Sequence, residues 1–213
     1  MIDVVGVYKK YGREMILEDI NVSFEQGVIY GLVGPNGCGK TTLMKCICGF
    51  SRVSQGAITV EGKKIGKDVD FAPSTGVIIE EPGFLSQLSG EKNLMILANI
   101  SNHASIERIH EVMRIMGLNP KEKKKVGSYS LGMRQRLGIA QAILENPNNL
   151  ILDEPFNGLD KRGTNDIHEL LKKWKEEDKT IILASHSMAD IKQSCDIVFS
   201  IENGKLKRTM EYN

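Results

Sequence analysis

The chain has 213 residues, enough to bury a sizeable α/β core, and its 28 Lys+Arg nearly cancel its 27 Asp+Glu to leave a net charge of +1. That balance excludes a strongly basic nucleic-acid surface as its main feature. The four cysteines (Cys38, Cys46, Cys48, Cys195) have neither zinc-ligand spacing nor the density of a disulfide framework, which predicts reduced, mostly buried thiols.

Ile2, Val4 and Val7, then Val22 and Phe24, alternate as antiparallel strands around a turn at Lys10-Tyr11-Gly12-Arg13. The apolar run 28–33 predicts a buried strand, and Leu43, Met44 and Ile47 carry the spacing of a helix. Between them stands Gly34-Pro35-Asn36-Gly37-Cys38-Gly39-Lys40-Thr41-Thr42, a complete phosphate loop in strand–loop–helix context. Gly34, Gly37 and Gly39 let the backbone take positive φ, so that successive N–H groups point at an anion. Lys40 places an ammonium beside the β- and γ-phosphates, and the Thr41 hydroxyl is a ligand for Mg²⁺. The helix N-terminus adds its dipole. Cys38 contributes its backbone N–H, and its thiol is open to alkylation. The loop implies binding of a nucleoside triphosphate.

Short strands are predicted at 57–60, closed by Glu61-Gly62-Lys63, and at 76–79. Helical periodicity follows over 89–101 and 105–116, with Ser89 and Ser105 as N-caps, and a third helix is predicted over about 131–145. The Lys-rich stretch 121–125 reads as a solvated loop, the alternative being contact with anionic lipid heads or an acidic partner. Tyr129-Ser130-Leu131-Gly132-Met133-Arg134-Gln135-Arg136 puts Ser and Gly at a helix start. That is either an ordinary Ser N-cap or a second anion-binding end: a hydroxyl donor, a Gly that allows close approach, and a positive helix terminus.

From there α/β alternation returns, with strands at 150–152, 180–184 and 197–201, helices over about 164–177 and 188–194, and a tight turn at Asn203-Gly204. The expected fold class is α/β: a P-loop NTPase core with an antiparallel β subdomain and an inserted helical subdomain at about 84–145, in a single domain over 1–213. Leu150-Ile151-Leu152-Asp153-Glu154 ends a buried strand in two carboxylates, at the edge where ligands of parallel sheets bind. Asp153 suits the hold on Mg²⁺, and Glu154 the base that polarises an attacking water. No signal-peptide pattern opens the chain and no apolar run approaches the ~20 residues of a membrane helix, so a membrane role is expected to come through a partner.

In order, Gly34 to Thr42, Ser130 to Met133, Leu150 to Glu154, Asn157-Gly158-Leu159-Asp160 and Ser185-His186 stand as Walker A, signature, Walker B, D-loop and H-loop. The chain resembles the nucleotide-binding subunits of ABC transporters over essentially its full length. The resemblance implies an ATPase using ATP and Mg²⁺, with Tyr11 stacked on adenine. It implies a dimer in which Ser130, Gly132 and Met133 of one copy close on ATP held by the other. It also implies two separately encoded membrane permeases contacted through the helical subdomain. The protein would then be cytoplasmic, peripheral to the cytoplasmic face of the cell membrane, with no nucleic-acid partner. His186 would hydrogen-bond the γ-phosphate and orient the water and Glu154. His103, His110 and His168 fall on helical or surface segments and are read as carrying no chemistry.

Two departures from the family pattern matter. The usual Leu-Ser-Gly-Gly-Gln signature is here Tyr129-Ser130-Leu131-Gly132-Met133, and the Q-loop glutamine is replaced by Glu80. Both resemble the bacitracin-exporter and lantibiotic-immunity branch of antimicrobial-peptide ABC transporters, which implies a lantibiotic or bacitracin-like cargo. Glu80 is placed with Thr41 and Asp153 as a metal ligand, the alternatives being a solvated Glu80 or Glu81 in its stead. Three carboxylates this close are expected to raise the pKa of one of them unless Mg²⁺ is bound. A soluble ABC-type ATPase of DNA repair or translation is the rival reading, but the chain has neither inserted coiled coils nor a second cassette. A regulatory module that only binds ATP is the other, and the intact Glu154 and His186 weigh against it.

Overall fold

The computed structural model describes residues 1–101 and 104–211; His103 lies outside them. β1 (Ile2–Tyr11) and β2 (Glu14–Phe24) form an antiparallel hairpin, followed by β3 (Ile29–Val33), α1 (Lys40–Cys48), β4 (Gln55–Val60), the two-residue β5 (Lys63–Lys64) and β6 (Thr75–Ile78). Then come α2 (Gly90–Ser101), α3 (Ile106–Ile115) and α4 (Leu131–Ala142). The chain closes with β7 (Asn149–Asp153), α5 (Lys161–Glu176), β8 (Thr180–Ala184), α6 (Met188–Ser194), β9 (Ile197–Glu202) and β10 (Lys205–Glu211).

Two sheets result. The smaller is antiparallel, in the order β2-β1-β4-β5, and the larger runs β10-β9-β3-β8-β7-β6. In the larger sheet β6, β7, β8, β3 and β9 are parallel, and only β10 runs against its neighbour. β3, β7 and β8 are apolar runs because both faces of this sheet are covered. On β7, Ile151 packs into a cluster with Phe24, Leu43, Met44 and Ile47, under α1 and the small sheet. Leu150 and Leu152 point the other way, into a cluster with Leu94, Val112, Met113 and Leu137 of the helices. The period of two thus divides one strand between two cores, each such fully buried side chain contributing about 1.5–3 kcal/mol.

The helices are joined by caps as well as by apolar faces. Ser105 caps α3 by accepting from Arg108 N at 3.3 Å. Arg108 in turn donates from Nε to Leu144 O (3.0 Å) and from Nη2 to Ile143 O (2.8 Å), satisfying carbonyls beyond the end of α4. α4 stops at Ala142, short of residue 145, because the chain turns through Asn146 at φ 49° into Pro147. α5 begins three residues earlier than its pattern suggests, since the Asp160 carboxylate accepts from Gly163 N at 2.8 Å and so extends the helix through a polar first turn. Asn203 (φ 49°) and Gly204 (φ 75°) form the predicted tight turn, and it leads into β10, a strand whose exposed, charged residues show no apolar alternation.

The C-terminal ends of β3, β6, β7 and β8 lie at one edge, and Leu32 and Asp153 both pair in register with Ala184. Four connections leave that edge side by side. They carry the phosphate loop, Glu80, Asp153-Glu154 and Ser185-His186.

Candidate active site

Gly34 (φ +144°), Gly37 (φ +76°) and Gly39 (φ +111°) all take the positive φ predicted for them. A Cβ on Gly34 would stand 2.5 Å from Ile201 O, so neighbouring backbone as well as conformation bars a side chain there. α1 starts at Gly39 with no side-chain cap, which leaves its first N–H groups to the hollow of the loop. The Lys40 ammonium is buried in that hollow, donating to Gly34 O at 2.7 Å and Pro35 O at 3.1 Å. Cys38 is half-buried, whereas Cys46, Cys48 and Cys195 are buried, and burial pushes the thiols of Cys48 and Cys195 up to about 12. Thr41 Oγ1 donates to Asp153 Oδ2 at 2.7 Å, tying the phosphate loop to the end of β7.

Glu154 stands one residue past β7 at φ +50°, a conformation that costs a non-glycine residue on the order of 1–3 kcal/mol. Its surroundings hold it there. Its N–H donates to Ala184 O at 2.9 Å, and its carbonyl accepts from Gln135 Nε2 at 3.0 Å. Carboxylate Oε2 accepts from His186 N at 3.3 Å. Oε1 lies 3.3 Å from His186 Nε2 but has no hydrogen bond among the described residues. Burial pushes the Glu154 carboxyl above its ordinary pKa; the His186 N–H and the His186 charge oppose the rise, and the Asp153 charge adds to it. Of the crowding expected from the sequence only the Asp153 charge acts on Glu154, and burial is the larger cause of the rise.

Glu80 also takes a left-handed backbone, φ +60°, and its Oε1 lies 2.6 Å from Lys45 Nζ, one turn of α1 beyond Thr41. The Glu80 side chain is 66% exposed, so this is a surface ion pair that answers the extra carboxylate locally.

A cavity of about 420 Å³ joins these groups. The phosphate loop lines it through Asn36, Gly37, Gly39, Lys40, Thr41 and Thr42, whereas Gly34, Pro35 and Cys38 do not; of the other expected residues Glu80, Asp153, Glu154 and His186 line it. Glu81, the alternative to Glu80, and Asn157 of the D-loop line it too, and so do Pro82, Leu131, Arg134 and Gln135, which the sequence does not single out as site residues. Leu131, Arg134 and Gln135 stand at i, i+3 and i+4 of α4, so helical spacing from Ser130 was the signal available for them. Ser130, Gly132 and Met133 do not line the cavity. Ser130 Oγ is exposed and caps α4, accepting from Met133 N at 3.2 Å. A Cβ on Gly132 would lie 2.6 Å from Gly158 O, and one on Gly158 would lie 2.4 Å from Leu131 Cγ. Tyr11 is exposed outside the cavity, with its hydroxyl 3.2 Å from Ser51 Oγ and its ring 4.5 Å from Lys9 Nζ.

The chain matches the family model described as ABC transporter over residues 17–157. It belongs to the ABC transporter family. It is similar to the bacitracin transport ATP-binding protein BcrA of Bacillus licheniformis, 39% identical over 215 residues, covering 100% of this chain and 70% of the relative. It is also similar to the lantibiotic transport ATP-binding protein SrtF of Streptococcus pyogenes, 35% identical over 213 residues, covering 100% of this chain and 92% of the relative. A solved structure described as the ATP binding subunit of an ABC transporter superposes with a TM-score of 0.88 at 26% identity, covering 99% of this chain and 90% of that one. The chain is an ABC ATPase, the ATP-binding subunit of a transporter. Within this ABC ATPase, Glu80 has Lys45 as a partner that no motif disclosed.

Of the histidines read as carrying no chemistry, His110 pairs Nε2 with Glu91 Oε1 at 2.5 Å between α3 and α2. His168 is on a helix as predicted but is buried rather than at the surface, 1% exposed. Burial pushes its pKa below the ordinary value, against the opposing effect of Asp190.

Proposed function

We propose that two copies of this chain clamp on ATP and drive separate membrane permeases that move an antimicrobial peptide, of the lantibiotic or bacitracin class. The observation that carries the reading is the shared cavity of the phosphate loop, Asp153, Glu154 and His186. Lys40 and the N–H groups of the loop and α1 bind the phosphates, with Gly34, Pro35 and Cys38 shaping the curl, and Tyr11 stacks on adenine. Thr41 and Asp153 offer a hydroxyl and a carboxylate already in contact, hard oxygen donors that suit Mg²⁺, with Glu80 beside them. The metal, when bound, neutralises charge on the phosphate oxygens. Glu154 takes the proton of the attacking water, and His186 orients Glu154 and donates to the γ-phosphate.

The second copy enters through α4. Ser130 Oγ accepts its cap bond and keeps its own proton to donate outward, beside the positive end of a helix. That arrangement, with Gly132 and Met133 following, supports a site completed by the partner's signature. The helical subdomain at about 84–145 would meet the permeases. No helix among the described residues is long and apolar enough to cross a membrane, which fits attachment to the cytoplasmic face of the membrane through those partners. The relatives' bacitracin and lantibiotic transport support the cargo class.

Glu154→Gln keeps shape and removes the base. Turnover by the purified chain should fall on the order of a hundredfold or more, while ATP binding stays within about threefold and an ATP-bound dimer accumulates on size exclusion. Because burial raises the Glu154 carboxyl, in the chain free of Mg²⁺ and nucleotide that carboxyl should take up its proton at a higher pH than an ordinary glutamate does, as NMR titration would show. Parent-rate hydrolysis by Glu154→Gln would move the base elsewhere.

A further inference from the structure

The buried imidazole of His168 sits where three segments meet. Its Nδ1 is 2.5 Å from Ser194 Oγ, its Nε2 is 3.2 Å from Asp190 Oδ1, and its ring lies 4.7 Å from the Phe156 ring at an interplanar angle of 34°. A carboxylate only accepts, so Nε2 carries the proton and donates to Asp190, and Nδ1 accepts the Ser194 O–H. Both ring nitrogens are thereby committed, which fixes the ring's orientation as well as its place.

The three contacts lead to the two reacting groups. Phe156 follows Glu154 by two residues in the same turn. Asp190 lies in the first turn of α6, four residues past His186. Its N–H donates to Ser187 Oγ at 3.3 Å, and Ser187 N donates to Ser185 Oγ at 3.1 Å, so the His186 loop is tied to the start of α6. The ring therefore touches both the turn that carries Glu154 and the helix that follows the His186 loop. An apolar side chain could fill the volume but could not hold α6 in one register against that turn.

We propose that His168 is a positioning residue for ATP hydrolysis, setting His186 against Glu154 through Asp190 and Phe156. The inference rests on the reading of Glu154 as base and His186 as its partner. Its force comes from the short reach of that pair: a displacement of about 1 Å at reacting groups costs on the order of a hundredfold in rate.

The test uses the full chain with kcat, KM for ATP, equilibrium ATP binding and thermal midpoint measured for three variants. His168→Phe keeps a ring against Phe156 and loses both nitrogen contacts; kcat should fall roughly tenfold to a hundredfold while KM and ATP affinity stay within about twofold. His168→Gln brings an amide N–H toward Asp190 and should recover most of kcat. His168→Asn reaches toward Ser194 only and should remain near the Phe variant. Parent-like kcat in His168→Phe overturns the inference, as does a fall in kcat matched by an equal loss of ATP affinity. If His168→Phe does not fold, the other pair decides: Gln well above Asn supports the inference, and equal kcat overturns it. Glu154→Gln in the same assay separates the two readings. Its retention of turnover sinks the base assignment, whereas an inactive Glu154→Gln beside a parent-like His168→Phe sinks the inference about His168 alone.

Discussion

α1 begins at a glycine that offers no cap, whereas α4 begins at a serine that already caps. Both present a positive helix end, but in different settings. The start of α1 is buried around Lys40 and linked through Thr41 to Asp153, so on the proposed reading one chain supplies the groups that bind the triphosphate. The start of α4 is exposed, with Leu131 45% accessible, and its first donors already have a local partner in Ser130. Leu131, Arg134 and Gln135, which share one face of α4, belong to the cavity, while Ser130 and Gly132 do not. The difference is what the proposed clamp requires: one helix end that serves its own chain and one left open at the surface.

The largest break in that comparison is Lys40→Ala. It deletes a buried ammonium and leaves Gly34 O and Pro35 O without their donor, and ATP affinity should fall on the order of tenfold to a hundredfold in equilibrium titration. Near-normal binding would deny α1 its role. Ser130→Arg addresses the other end. Each chain should bind ATP within about twofold of the parent, yet turnover should fall on the order of a hundredfold, because the guanidinium fills the space of the approaching γ-phosphate. Mixing Lys40→Ala chains with Ser130→Arg chains should restore at most one composite site per heterodimer. Turnover per chain that does not vary with parent concentration would place a complete site within one copy.

The smallest effect belongs to the extra carboxylate. Glu80→Gln removes an exposed partner of Lys45, so its cost in stability should stay below about 1 kcal/mol. Nucleotide affinity should barely change, while the Mg²⁺ concentration giving half-maximal ATPase activity should shift by a few fold. Glu81→Gln, in the same titration, should match the parent. Identical curves for both variants, with undiminished peptide resistance in cells, would leave Glu80 outside the metal's surroundings.

The phosphate loop and the two carboxylates were legible because strand, loop and helix each leave a local pattern, and a parallel sheet brings strand ends to one edge regardless of what lies between them in sequence. Gln135 was harder. It lies five residues past Ser130 on the same helix, but its bond to the Glu154 carbonyl depends on how α4 packs on β6, beside β7. Lys45 reads as one more helix surface residue until tertiary packing brings Glu80 to it. His168 shares its buried stripe with Leu171 and Trp174, and its i, i+3 spacing to Leu171 hinted at burial, but its partners sit on α6. β10 escaped notice because an exposed edge strand is specified by its turn and its backbone pairing rather than by apolar alternation.

Gly132 and Gly158 meet where neither carries a side chain, and each position would collide with the other segment if it gained even one carbon. Viewed as mechanics, the start of α4 and the loop after Glu154 mesh like two toothless wheels pressed rim to rim. Neither can shift toward the other without collision. Sequence drift at either glycine is therefore confined by the neighbouring segment, Gly132 by the Gly158 carbonyl and Gly158 by the Leu131 side chain, rather than by chemistry at the nucleotide.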